Sequence, residues 1–150
     1  MKIMKSSTHN RRFQRAFTLL EVLIVISIIG ILIALGVAAY STAQRKGRDA
    51  RRQADIKALQ SGFEQFKSAS DTSSYPLSDV EAADATTIFP SGLPVDPRNT
   101  ESFVYSMQMT ADNYCVCALL EGSTGNATTA AVSSTCSYGA GNYYCLSNLQ

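Results

Sequence analysis

Arg15-Ala16-Phe17-Thr18-Leu19-Leu20-Glu21 opens an apolar run in which the Glu21 carboxylate is the only charge before Arg45. Uncharged and mostly aliphatic residues continue from Val22 to Ala39, enough to cross a bilayer as a helix, which takes about 20 apolar residues. An ionised carboxylate near the end of such a helix costs on the order of a few kcal/mol unless it is paired. A plain anchor gains nothing from keeping it. The pattern predicts a helix that leaves the bilayer and meets a partner able to neutralise Glu21.

A secretory signal is the competing reading of an apolar run near an N-terminus. Such a signal has an apolar core of about 7–15 residues followed by a small-x-small cleavage site. Here the run is longer, and the small residue Ala16 precedes it. Arg11, Arg12 and Arg15 suit a cytoplasmic leader under the positive-inside rule. Arg45, Lys46, Arg48, Arg51 and Arg52 form an equal cluster on the other side, so charge counting alone leaves the orientation open.

The basic leader, the small residue, Phe17-Thr18-Leu19-Leu20-Glu21 and the apolar helix together resemble the type IV prepilin and type II secretion pseudopilin signature. The resemblance implies that a membrane-embedded aspartyl peptidase cuts between Ala16 and Phe17 on the cytoplasmic side. It implies N-methylation of the new Phe17 amine, and pairing of Glu21 with a neighbouring subunit's terminal amine during assembly. The family usually has Gly before the cut, and Ala16 here implies slower cleavage at worst. Near Ala38 many members place a helix-bending Pro that this chain lacks. The implied partners are identical or related pilin subunits, the prepilin peptidase and methyltransferase, an inner-membrane assembly platform and the membrane. The implied location is the cytoplasmic membrane, single-pass with the head outside, and then an extracellular filament or a periplasmic pseudopilus.

The helical pattern continues past the apolar run. Ala39, Ala43, Ala50 and Ala54 keep a narrow small-residue face, and Ile56, Leu59, Phe63 and Phe66 follow at spacings of three and four, an amphipathic helix. Gly47 and Gly62 each cost about 1 kcal/mol against Ala in a helix interior. The Ser-rich stretch over 68–74 and Tyr75-Pro76 end the element. A helix of about fifty residues spans roughly 75–80 Å. Residues 75–102 hold all four prolines and read as a long loop, with a short helix around 79–85.

Period-two patterns predict strands over 103–109 and 114–121, joined by a turn at 110–113. A Gly, Thr and Ser loop follows, and a last short strand is expected over 142–146. The predicted fold is α+β: a long N-terminal helix, half transmembrane and half amphipathic, packed on a small antiparallel sheet. The segments expected are a leader over 1–16, an assembly helix over 17–44, its amphipathic continuation over 45–68 and a head over 69–150.

The formal charge of +1 hides an asymmetry. The leader has five Lys or Arg and no acid, whereas beyond Lys67 the single basic residue Arg98 faces eight acids. Such a head repels phosphate, which disfavours nucleic acid as its partner. The basic stretch over 45–52 can reach DNA or lipid head groups, but a solvated or salt-bridged helix face is preferred.

Cys115, Cys117, Cys136 and Cys145 all lie in the last 36 residues. An even number in a translocated head reads as two disulfides. A zinc site is disfavoured because the spacing lacks C-x2-4-C knuckles and the only His, His9, lies in the leader. Three pairings exist. A Cys115–Cys117 bridge is strained across a strand dipeptide, which leaves two that join this strand to the C-terminal segment.

Tyr75-Pro76, Leu93-Pro94-Val95-Asp96-Pro97 and Leu120-Glu121 add a looser similarity to major pseudopilins of type II secretion. That similarity implies calcium on late loops, with Asp96, Glu101 and Asp112 as candidate oxygen ligands. Calcium takes six to eight oxygens and no EF-hand pattern is present, so solvated loop acids with disulfides tying the loops are preferred. No catalytic constellation is found: no His for a triad, no Gly-rich phosphate loop and no metal-ligand spacing. Asn126-Ala127-Thr128 fits a glycan sequon, a short pattern given little weight. Two functions remain, a structural filament subunit and a membrane-anchored surface binding module that does not polymerise. Glu21 separates them, because only the first needs a carboxylate there.

Overall fold

The structure, a computed structural model, describes residues 17–100, 102–122 and 124–149. Helix α1 runs from Leu19 to Ala69, 51 residues without a break. Thr18 caps it: the Glu21 backbone N–H donates to Thr18 Oγ1 at 3.2 Å and the Val22 N–H to the Thr18 carbonyl at 3.3 Å. Thr18-Leu19-Leu20-Glu21 thus has the spacing of a capping box, and Glu21 sits where the helix dipole favours an acid. Two compact units divide the chain, one up to Ala39 and one from Tyr40 onward.

In the first unit the described side chains from Phe17 to Val37 are all exposed. An 18-residue window of α1 reaches a mean hydropathy of 3.0 with none of it buried in the chain. Its lone hydroxyl, Ser27, donates to the Leu23 carbonyl at 2.8 Å, which satisfies a polar group inside an apolar stretch.

The second unit carries the core. Ile56, Leu59 and Phe63 of α1 are fully buried, whereas Phe66 is only half-buried and Ala50 and Ala54 face solvent. The buried face instead extends back through Arg52 and Asp49, both at most 1% exposed. Gly62 is required here, because a Cβ would run into the Phe89 ring.

A turn with Ser73 at φ 50° ends α1 and leads to buried Tyr75, whose N–H donates to Ala111 O at 3.0 Å. Helix α2, Asp79–Asp84, is capped by Ser78, whose Oγ accepts from Glu81 N. Glu81 answers by accepting from Leu77 N at 2.7 Å.

Strands β1 (Ser106–Met109), β2 (Tyr114–Leu119) and β3 (Tyr143–Ser147) form one antiparallel sheet in the order β1-β2-β3. The first strand is shorter than expected because Phe103 turns its ring to the Arg52 and Arg98 guanidiniums, 4.6 and 4.4 Å from its centroid. β2 ends before Glu121, which turns to Arg48 and Arg52.

The central strand is buried on both faces, as period two allows. Tyr114, Val116 and Ala118 meet α1 in the main core, where Phe63 packs edge-on against Phe89 and Tyr114. Cys115 and Cys117 point the other way, into a second cluster with Cys145, Ala127 and Ala131. The sequence pattern assigned the sheet one covering layer, the helix; the loop between β2 and β3 supplies a second. Gly125 is needed in that loop because its backbone lies against the Tyr143 carbonyl.

Candidate assembly segment and head clasp

Three groups of residues bear on function: the α1 N-terminus, a charged clasp at the base of the head, and the four cysteines. Ala16 lies outside the described residues. Phe17 is 79% exposed and Glu21, in the first turn of α1, is exposed beside Leu19 and Leu20. Aliphatic side chains surround the helix, and nothing among the described residues covers them. An exposed apolar cylinder of this length needs an apolar medium, bilayer or other helices.

The clasp is a buried ion network. Arg52 donates through Nε to Asp96 Oδ2 at 2.6 Å and through Nη2 to Asp96 Oδ1 at 3.1 Å. Its Nη1 reaches Asp49 Oδ1 and Glu121 Oε1, each at 2.8 Å. Arg48 closes a bidentate pair on Glu121 at 2.7 and 2.6 Å. Asp49 also accepts the backbone N–H groups of Glu121 and Gly122 at 2.9 and 3.0 Å. The clasp therefore fixes the end of β2 and the loop at Asp96 to one and a half turns of α1.

Its electrostatics follow from this geometry. The hydrogen bonds from Arg48, against the opposing effect of burial and with help from Arg52, hold Glu121 down at about 2. Burial pushes Asp96 up, but hydrogen bonds from Arg52 and from the Arg98 N–H outweigh it and leave the carboxyl below its ordinary range. Burial pulls Arg52 down, but hydrogen bonds to Asp96, Glu121 and Asp49 outweigh it and raise the guanidinium above its ordinary value.

The Asp49-x-x-Arg52 pair was legible in principle, since it continues the Ile56, Leu59, Phe63 spacing. Charge at both positions argues for solvent as long as no partner is in view. The salt-bridged reading of the basic stretch describes Arg48, Arg51 and Arg52, with Arg51 3.9 Å from Asp55.

At the far end of the head Glu64 is a second hub. It accepts from Tyr75 Oη at 3.0 Å, Tyr114 Oη at 2.9 Å and the Leu149 N–H at 3.0 Å. Burial and this carboxylate push Tyr75 up to about 12 and Tyr114 further.

Cys115 is bonded to Cys136 and Cys117 to Cys145, with Cα separations of 5.3 and 4.1 Å. Both bridges join β2 to the C-terminal segment, and the register that sets Cys117 opposite Cys145 selects between the two pairings left open.

The calcium candidates do not converge. Asp96 gives both oxygens to Arg52, Glu101 lies outside the described residues, and Asp112 is exposed in the turn before β2. Asp96 joins the clasp beyond the other end of that strand, which is about 20 Å long. A carboxylate satisfied by a guanidinium is a poor ligand, so Asp96 and Asp112, at opposite ends of β2, do not share a calcium site. The sequon fails likewise: Asn126 Nδ2 donates to Cys145 O at 2.8 Å and its Oδ1 accepts from Cys145 N at 2.7 Å. Its amide acts as a strand partner and is not free to take a glycan.

Residues 11–37 match the family model of the prokaryotic N-terminal methylation motif. The chain is 34% identical over 101 residues to type II secretion system core protein G of Dickeya chrysanthemi, covering 67% of this chain and 63% of that protein. It is 32% identical over 102 residues to the protein of the same name from Aeromonas hydrophila, covering 68% of each. The chain thus spans about two thirds of the length of these relatives. No solved structure matches it significantly. With a methylation motif on the segment that carries Phe17 and Glu21, and this identity continuing beyond it, the chain belongs to the type IV pilin and type II secretion pseudopilin family.

Proposed function

We propose that the chain is a structural subunit of a secretion-type pseudopilus or related type IV filament, with no catalytic role. The carrying observation is the apolar segment of α1, uncovered among the described residues and with a single carboxylate at its start, in a chain whose second unit completes its own core without it. Prepilin peptidase removes residues 1–16, cutting between Ala16 and Phe17, and the Phe17 amine is methylated. The subunit waits in the cytoplasmic membrane with its head outside, then leaves with α1 packed among the helices of other subunits on the assembly platform. Glu21 pairs with a neighbour's terminal amine, a contact worth several kcal/mol in a medium where an unpaired charge is costly.

Glu21 has a second role, as an acid in the first turn of a capped helix, worth about 0.3–1 kcal/mol. Glu21→Gln and Glu21→Ala separate the two. Both variants should express and insert, and neither should yield filaments in sheared fractions. Filaments from Glu21→Gln at the wild-type level would reject ion pairing as the assembly contact. Filaments from both would reject any assembly role for Glu21, whereas a wild-type chain absent from sheared filaments would reject the subunit reading in favour of a membrane-anchored module.

A further inference from the structure

The second face of the sheet gathers four sulfur atoms in one place. The Sγ atoms of Cys115, Cys117, Cys136 and Cys145 all lie within 4.8 Å of one another, and those of Cys115 and Cys117 are 3.6 Å apart. A zinc ion with four thiolates at about 2.3 Å has sulfur–sulfur edges of about 3.8 Å by tetrahedral geometry. The gap between the two bridges is already close to that edge. Only the two bonded pairs must open, a movement within reach of cysteine rotamers. We propose that the reduced head binds one zinc ion, or a similar thiophilic tetrahedral cation, as a tetrathiolate of Cys115, Cys117, Cys136 and Cys145.

The scaffold for this site does not depend on the disulfides. Cys115 and Cys117 share one face of β2, and Cys145 is held opposite Cys117 by the β2–β3 ladder. The loop carrying Cys136 is fastened to β3 on its own account. Asn126 makes two hydrogen bonds to Cys145, and Ala127 N and O both bond to Tyr143. Three of the four cysteines are at most 1% exposed, with Ala127 and Ala131 beside them. Cys136 is half-buried, which leaves a route of entry for an ion. Knuckle spacing is absent because the sheet register, not a local turn, brings these ligands together.

The chemistry balances. Each cystine takes two electrons and two protons from one dithiol reductant, which leaves as its own disulfide. One zinc ion then forms four Zn–S bonds as four S–H protons are released. The same residues thereby pin the β2–β3 loop in either redox state, by disulfides in an oxidising compartment and by metal in a reducing one. The proposal is independent of filament assembly.

The test uses the full chain in detergent micelles, reduced with a phosphine that does not compete for metal, and cobalt(II) as probe. One cobalt per chain should bind with the visible bands of a tetrahedral thiolate, and one zinc per chain should displace it. Zinc should also raise the melting temperature of the reduced chain, while the oxidised chain binds neither ion. Cys136→Ser should bind cobalt at least about tenfold more weakly, the loss that even an outer-shell partner causes. Absence of the tetrahedral bands, unchanged affinity in Cys136→Ser, or metal uptake with no rise in the wild-type melt would each overturn the proposal. The wild-type melt decides the matter if the variant does not fold.

Discussion

Arg52 on α1 and Asp96 in the proline-rich loop meet in a bidentate pair at 2.6 and 3.1 Å, with neither side chain more than 1% exposed. Forty-four residues separate them in the chain. Desolvating two charges is costly, and removing one partner leaves the other buried and uncompensated, a loss of about 3–5 kcal/mol. Arg52→Met should therefore destabilise the head strongly. Arg52→Met with Asp96→Leu should recover part of that loss, because an apolar pair of similar volume is often neutral. Thermal or urea melts of the two variants check this, and a double variant no better than the single one would contradict it.

Acid should weaken the clasp at low pH. Glu121 is held at about 2 against an ordinary value of 4.5, and Asp96 is lowered too. A carboxyl depressed on folding contributes stability above its unfolded value and loses it as pH falls through the folded one. The contribution should be complete above about 4.5 and fade between there and about 2. In Glu121→Gln the acid limb of a stability-against-pH curve should be shallower than in the wild type.

A matching alkaline limb is expected from the far end of the head. Tyr75 is raised from 10.0 to about 12, and Tyr105 and Tyr114 are raised as well. A group whose value rises on folding stabilises below its unfolded value and stops doing so as pH climbs toward the folded one. Stability should fall as pH rises from about 10 to 12. Glu64→Gln should flatten that decline by removing the carboxylate that faces Tyr75 and Tyr114.

The bridges close sequence separations of 21 and 28 residues, and losing a native bridge from a small domain costs about 2–5 kcal/mol. The oxidised chain should show no free thiol on titration. With metal chelated, reduction should lower the melting temperature and expose the β2–β3 loop to proteases. Peptide maps should recover Cys115 with Cys136 and Cys117 with Cys145.

Processing has a direct readout in mass. The mature protein should begin at Phe17 with one methyl group on its amine, and Ala16→Gly should be cleaved at least as fast. A mature start near Ala39 would point to an ordinary signal peptide.

The elements of this fold are local, and local patterns declared them. The uncharged run from Leu19 to Gln44 broken only by Glu21, the spacing of Ile56, Leu59 and Phe63, and the alternation through Tyr114 and Val116 are each local features of one helix or one strand. The Phe17–Glu21 motif is contiguous, so family membership was legible from it alone.

Asp49 and Arg52 resisted such a reading because charge predicts solvent unless a partner is known. Their partners, Asp96 and Glu121, arrive from 44 to 72 residues away. The loop over the second sheet face is equally nonlocal: polar in composition, it becomes a covering layer through Asn126 and the cysteines. Four cysteines allow three pairings and the strain of a Cys115–Cys117 bridge leaves two; the register opposing Cys117 to Cys145 chose one. Hydropathy reports what one residue prefers, whereas burial of a charge or choice of a bridge depends on which distant groups the folded backbone brings within about 3–6 Å.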